Sequence, residues 1–183
     1  ATGRNPENAI ICVTRGLLDK LDYYELEGVV AHELAHIKNY DIMVSAVVSV
    51  MVGFVVMLSD MFTRVMFRVH DDDDNGSPNP ILMIIGLIFL IISPLVSQLI
   101  QLAVSRSREY LADATAVAFT RNPDGLISAL RKISSDDEEL DVASSSTAHM
   151  YIVTPFKNKR EKSNLFSTHP TISQRVIAIR NLE

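Results

Sequence analysis

Apolar residues along this 183-residue chain are concentrated in two long stretches. The first covers 42–69 and carries no charge before Asp60, while the second, 81–104, carries none at all. At about 1.5 Å per helical residue the second stretch spans about 36 Å, more than the ~30 Å hydrocarbon core of a bilayer. We predict two transmembrane helices, with Pro94 bending the second. The alternative is a pair of core helices in a large soluble domain.

A polar loop at 70–80 separates the two apolar stretches. It contains His70, four consecutive aspartates and several turn-forming residues, which is more typical of a solvated hairpin tip than of a cation site. A two-helix hairpin returns the chain to the side of the membrane that it left. Segments 1–41 and 105–183 are therefore expected on the same face.

A helix is predicted just before the first apolar stretch. Asp22 and Glu25 have the spacing of an N-cap and its capping-box partner, and apolar residues then recur at helical spacing. These residues are Leu26, Val29, Val30, Leu34 and Ile37. The pattern predicts a helix with one packed face.

This helix contains the run His32-Glu33-Leu34-Ala35-His36. Residues i and i+4 share a helix face, so both imidazoles can bind one metal ion while Glu33 lies beside the open coordination position. Zinc with three protein ligands keeps that position for water, lowers the pKa of the water to about 7 and polarises a carbonyl oxygen. Glu33 would then take the proton. The alternative is a pair of hydrogen-bonded core histidines.

A third ligand has to come from another part of the chain. After the second apolar stretch, 105–114 predicts a helix with Glu109 and Asp113 on one face. Glu109 would bind the zinc, and Asp113 could accept the ring N–H of a ligand histidine and fix its tautomer. The alternative is surface ion pairing of these carboxylates with Arg106 and Arg108.

The remaining segments predict short elements. A strand is expected at 8–13, followed by a brief helix at 15–21 capped by Thr14. The sequence Asn-Pro-Asp-Gly at 122–125 opens an amphipathic helix, and the acidic, serine-rich segment 134–146 predicts a linker.

The amino-acid composition limits the cellular compartments and the binding partners that this chain can have. Hydrophobic residues make up 48% of the chain and charged residues 21%, and the net charge of −5 argues against a nucleic-acid partner. With Cys12 as the only cysteine, no internal disulfide can form. Basic residues near the membrane favour a cytoplasmic location for the segments outside the hairpin. They are Lys20, Lys38, Arg106, Arg108 and Arg121, against Arg64 and Arg68 at the hairpin tip.

With these motifs in this order, the chain resembles the HtpX-type membrane zinc metalloproteases, relatives of the CAAX prenyl endoproteases. The resemblance implies that His32, His36 and Glu109 bind one zinc ion and that Glu33 is the catalytic base. It also implies four membrane helices in the full protein and proteolysis of misfolded membrane proteins under heat or envelope stress. The matching segments are 32–36 with Asn39 and Asp41, the two apolar stretches, 105–113, 148–153 and 165–170.

Two features depart from that family. The family's first pair of membrane helices has no counterpart in this chain, and the chain lacks an initial methionine. Both features predict a fragment of a longer protein. The usual His-Pro-Pro ending is His169-Pro170-Thr171. In related proteases this histidine lies near the metal, where His169 could stabilise an oxyanion or regulate the site. Alternatively, His169 helps to cap the helix that follows it. His149, which precedes a short strand-like run, is a further candidate for a functional histidine.

Together these observations predict a mainly α fold with a small β element, a zincin-like metalloprotease domain with an inserted two-helix transmembrane hairpin. Its parts are 1–41, the hairpin 42–104 and 105–183. The predicted function is a zinc endopeptidase of the bacterial plasma (inner) membrane, multi-pass and with a cytoplasmic catalytic domain. It would hold one Zn²⁺ per subunit and act on damaged membrane proteins in the lipid bilayer. The alternatives are a site-2-type intramembrane protease with Asp124 as a ligand, and an inactive zinc-binding scaffold.

Overall fold

The computed structural model describes residues 1–3, 5–68, 80–135 and 169–182. Nearly all of the predicted acidic loop, most of the predicted linker and His149 lie outside the described residues. Six α-helices, a short 3₁₀ turn and a two-stranded sheet make up the described part. The helices are α1 (Arg15–Lys20), α2 (Tyr23–Lys38), α3 (Asp41–Arg68), α4 (Pro80–Thr120), α5 (Pro123–Ser134) and α6 (Ile172–Arg180).

The small β element lies at the start of the chain. Strand β1 (Thr2–Gly3) pairs antiparallel with β2 (Ala9–Ile10), and a 3₁₀ turn at Pro6–Asn8 connects them. The strand predicted at 8–13 is therefore present but short. The predicted fold class, mainly helical with a small sheet, is confirmed.

Helix starts follow the predicted caps. Thr14 accepts a hydrogen bond from the Leu17 backbone and opens α1. Asp22 and Glu25 form both bonds of the capping box that begins α2. A capping box satisfies two otherwise unpaired backbone N–H groups and so fixes the residue at which α2 begins. The helical period then determines which side chains of the later turns share a face.

Helices α3 and α4 form the two candidate membrane spans. Both are long and apolar enough to cross a membrane by length and composition. In their most apolar windows no residue of α3 and only 11% of the α4 residues are buried, which argues against core helices of a soluble domain. Helix α4 is continuous for 41 residues through Pro94. The second apolar stretch and the turn that carries Glu109 are thus one rigid element.

The rest of the described chain packs around α2. One buried cluster joins α2, α4, α5 and α6 through small and aliphatic side chains. Its members are Ala31, Ala116, Leu126, Ile127, Leu130, Ile172, Val176 and Ile179. Helix α5 approaches α2 so closely that a Cβ at Gly28 would lie 2.9 Å from the backbone of Leu126. This packing directs one face of α2 towards α4 and α6.

Candidate metal centre

His32 and His36 lie one turn apart on the buried face of α2. Their Nε2 atoms are 3.1 Å apart and their rings are nearly perpendicular, at 83°. His32 is completely enclosed, whereas His36 stays partly open to solvent. The helical spacing alone brings the two imidazoles together, as predicted from the sequence.

Glu109 faces the two histidines from α4. Its Oε2 lies 3.7 Å from Nε2 of His32 and its Oε1 lies 3.6 Å from Nε2 of His36. The residue is only 7% exposed. The three candidate ligand atoms all lie within 4.8 Å of one another, so this group could hold a metal ion. The ligand assignment itself stays a prediction.

A carboxylate holds the second nitrogen of each imidazole. Nδ1 of His32 is 3.0 Å from Oδ1 of Asp113, and Nδ1 of His36 is 2.6 Å from Oδ2 of Asp41. A carboxylate accepts the Nδ1–H proton, so Nε2 is left with a lone pair that can bind a metal. Asp113 therefore lies where the predicted tautomer-fixing partner should be.

The chemistry of these donors fits zinc. The two Nε2 atoms are 3.1 Å apart, a separation that a shared proton or a bound cation can occupy. With Zn–N bonds of about 2.0–2.1 Å in tetrahedral geometry, two ligand nitrogens lie roughly 3.3 Å apart. Two imidazoles and one carboxylate are also a common ligand set of catalytic zinc, with a fourth position free for water.

The surroundings shift the pKa values of the two histidines in opposite directions. Burial, reinforced by the positive charge of Arg175, lowers the pKa of His32 in spite of its bond to Asp113, so its ring is held neutral as a metal ligand must be. Burial would also lower the pKa of His36, but the bond to Asp41 and the charges of Glu109 and Glu33 outweigh it and raise the pKa. The surroundings of His36 thus favour a positive charge, which a bound cation would supply.

Glu33 lies at the more accessible side of this group. Its side chain is 18% exposed, and its Oε2 is 2.5 Å from the backbone nitrogen of Ala1. Strand β1 therefore runs beside Glu33. The charge of Glu33 contributes to the raised pKa of both His36 and Arg175, so its carboxylate acts on the centre electrostatically without being one of the three candidate ligands.

His169 also reaches the centre. Its Nδ1 is 3.3 Å from Oε1 of Glu109, close enough for a charge interaction but without the alignment of a hydrogen bond. The helix-capping interpretation of His169 is wrong, because Thr171 is the N-cap of α6 and forms a capping box with Gln174. The threonine that departs from the family pattern therefore has a structural function.

Arg175 is a site residue that sequence reasoning missed. It is 1% exposed and donates to both carboxylate oxygens of Asp113, at 2.8 and 2.6 Å, while its Nη1 is 3.4 Å from Oε2 of Glu109. Burial would lower the pKa of Arg175, but Asp113 and Glu109 raise it. A signal was available, since Arg175 lies three residues after Ile172 and four before Ile179 and so interrupts the apolar stripe of α6.

The supporting roles of Asp41 and Arg108 were missed as well. Asp41, the first residue of α3, binds His36 and also accepts hydrogen bonds from Arg108. The alternative that Glu109 and Asp113 form surface ion pairs with arginines of their own helix is wrong. Both carboxylates are buried, Arg108 pairs with Asp41, and Arg106 donates to the carbonyl of Leu102.

Asp124, the alternative ligand, is exposed in the first turn of α5. Within the described ranges, the one group of side chains able to hold a metal is His32, His36 and Glu109, and Asp124 is not part of it. The site-2-type arrangement finds no support in this geometry.

Comparison with known proteins agrees with the motifs. A family model described as peptidase family M48 matches residues 1–183. The chain belongs to peptidase family M48. The resemblance predicted from the sequence is thereby confirmed, since proteins named "Protease HtpX homolog" are also similar over the whole chain.

Three relatives illustrate the similarity of this M48 member. The protein of Listeria monocytogenes serotype 4a (strain HCC23) is 46% identical over 100% of this chain and 63% of its own length. That of Thermoanaerobacter pseudethanolicus is 47% identical over 100% of this chain and 61% of its own. For Dictyoglomus thermophilum the identity is 47%, with 98% of this chain and 58% of the relative covered. The chain thus spans about 63% of the first of these relatives. No solved structure matches.

Proposed function

We propose that this M48 member is a membrane-bound zinc endopeptidase. The observation that carries the proposal is the convergence of Nε2 of His32, Nε2 of His36 and the Glu109 carboxylate, with a separate carboxylate on Nδ1 of each histidine. With Nδ1 of each ring paired to a carboxylate, both Nε2 atoms and the Glu109 carboxylate are directed at one point that a single cation can occupy.

Each residue has a distinct role in the proposal. His32, His36 and Glu109 would hold the zinc, which when bound polarises the scissile carbonyl and activates water near neutral pH. Glu33 accepts the proton of the attacking water and returns it to the leaving amine. Its side chain is 18% exposed and lies at the more accessible side of the centre. Asp41 and Asp113 keep the two rings in orientation.

His169 is proposed to contact the reacting group rather than the metal. Its half-exposed imidazole lies beside Glu109, and a donor at that position can stabilise the negative oxygen that develops during peptide hydrolysis. His169→Gln would then lower kcat with little change in KM, whereas a purely structural His169 would leave kcat unchanged.

The membrane is part of the proposal. We assign 1–41 and 105–183 to one catalytic domain and 42–104 to a transmembrane hairpin inserted in it. The continuity of α4 supports this, because Glu109 lies only five residues beyond the apolar stretch that ends at 104. A centre so close to the bilayer favours polypeptide substrates presented from the membrane. We propose damaged membrane proteins of the bacterial plasma membrane, cleaved on the cytoplasmic side as part of a stress response.

The test is Glu33→Gln, assayed on an unfolded protein substrate in detergent with zinc present. Loss of the proton acceptor should reduce cleavage by about 10²–10⁴-fold while bound zinc is retained. Glu27→Gln is the matched control, since Glu27 is an exposed residue on the same helix. Equal cleavage by the Glu33→Gln variant and the parent would refute the mechanism.

A further inference from the structure

A second arginine–carboxylate pair lies at the joint between α2 and α3. Asp41, buried at the first turn of α3, bonds Nδ1 of His36 through Oδ2 and accepts hydrogen bonds from Arg108 at Oδ1, with Nε of Arg108 at 2.5 Å. Nη2 of Arg108 donates to the same oxygen. Arg108 belongs to α4, 67 positions away in the chain. One arginine thus connects the two ends of the apolar hairpin to a candidate zinc ligand.

Arg108 also binds the backbone of the joint. Its Nη2 donates at 2.5 Å to the carbonyl of Asn39, the residue that ends α2. The side chain of Asn39 donates to Thr115 of α4 at 3.2 Å. Between the two helices Tyr40 adopts a φ of +55°, a conformation that non-glycine residues seldom take unless neighbouring contacts hold it. The contacts from α4 supply that constraint.

We propose that Arg108 is a positioning residue that couples the membrane hairpin to the metal centre. Its planar guanidinium fixes Asp41, and Asp41 fixes the ring of His36. Glu109 is the next residue on α4, so a shift of α4 against α3 moves the Glu109 carboxylate and the support of His36 together. The proposal rests on the zinc site proposed above.

The opposite side of the centre is built differently. Asp113 and Arg175, which support His32, join α4 to α6 and have no contact with the α2–α3 joint among the hydrogen bonds of the described residues. Breaking the Arg108–Asp41 contact should therefore affect His36 more than His32.

The test measures zinc affinity in the full chain in detergent, by competition with a chelator. Arg108→Met should weaken zinc binding by about 10–100-fold, the usual effect of removing support from a metal ligand. Arg108→Lys should recover only part of the loss, because an ammonium cannot reproduce the guanidinium fork. Arg106→Met is the matched control on the same helix and should stay within about twofold of the parent.

A double-mutant cycle of Arg108→Met with Asp41→Asn distinguishes a positioning role of Arg108 from general destabilisation of the protein. If Arg108 acts through Asp41, Arg108→Met should add little to the loss that Asp41→Asn causes alone. The visible spectrum of the Co²⁺-loaded protein should change in Arg108→Met and not in Arg106→Met. Multiplicative losses in the double variant, or equal zinc affinity of the Arg108→Met and Arg106→Met proteins, would overturn the coupling. If His36→Ala left zinc affinity unchanged, the proposed metal site itself would fail instead.

Discussion

Arg175 donates hydrogen bonds to both carboxylate oxygens of Asp113, at 2.8 Å from Nε and 2.6 Å from Nη2, in an almost fully buried pair. The same guanidinium lies 3.4 Å from Glu109. One cation from α6 therefore balances two acidic side chains of α4 at the core of the centre. Without it, both buried carboxylates would lose the guanidinium that they contact in the metal-free protein.

Arg175→Met should therefore destabilise the protein strongly. Removing one partner of a buried ion pair costs about 3–5 kcal/mol, because the other charge stays buried without compensation. Arg180→Met, on the exposed side of the same helix, should change stability by less than about 0.5 kcal/mol. Thermal unfolding of both variants in detergent, without added metal, measures the difference. Similar melting temperatures would show that Arg175 does not have this role.

The lowered pKa of Glu25 leads us to expect that the protein loses stability in acid. Burial would raise its pKa, but hydrogen bonds from Lys132, Ser128 and the Asp22 backbone outweigh it and lower the pKa from 4.5 to about 2. A carboxyl whose pKa is lowered on folding stabilises the protein above its ordinary pKa, and this contribution disappears as pH falls from about 4.5 towards 2. The difference between the two pKa values corresponds to roughly 3 kcal/mol of folding free energy. Solvent screening at the half-exposed Lys132 reduces this contribution to about 2 kcal/mol.

The measurement compares unfolding free energies of the parent and Glu25→Gln from pH 7 to pH 3. The parent should be more stable at pH 7, and its advantage should shrink steadily below about pH 4.5. Glu27→Gln, changed at an exposed position of the same helix, is the matched control. A constant difference between parent and Glu25→Gln across the range would contradict the assignment.

Gly28 marks the closest approach of α2 to α5. An alanine Cβ there would lie 2.9 Å from both Cα and N of Leu126, and backbone atoms cannot move away as a flexible side chain can. Gly28→Ala should cost about 1–3 kcal/mol through overpacking. Gly16→Ala in α1 meets no atom within 4 Å and should be neutral or stabilising by up to about 1 kcal/mol. Equal unfolding midpoints for the two variants would count against this packing.

The sequence was most informative where the chemistry is local. The capping box of α2, the start of α5 at Pro123 and the shared face of His32 and His36 depend on residues three or four positions apart, and the structure has all of them. Helix ends were less predictable. The helix that contains the second apolar stretch does not end at 104, since α4 continues to Thr120 without a break.

Supporting residues of the centre were missed because their partners are distant in the chain. Arg175 is 62 positions from Asp113, and Arg108 is 67 from Asp41. No helical period relates such pairs, and a charged residue at the edge of an apolar stretch is usually a solvated end. Only the position of Arg175 within the apolar stripe of α6 hinted at burial. Glu109 was found because it shares a helix face with Asp113 after the hairpin.

The most direct measurement is the zinc content of purified protein after dialysis, determined for the parent, Glu109→Ala and Asp124→Ala. Our account places the third ligand on α4, so the parent and Asp124→Ala should each hold about one zinc per chain. Glu109→Ala should lose most of it, because two histidines alone bind zinc weakly. Full zinc content in Glu109→Ala, or loss of zinc in Asp124→Ala, would contradict the account.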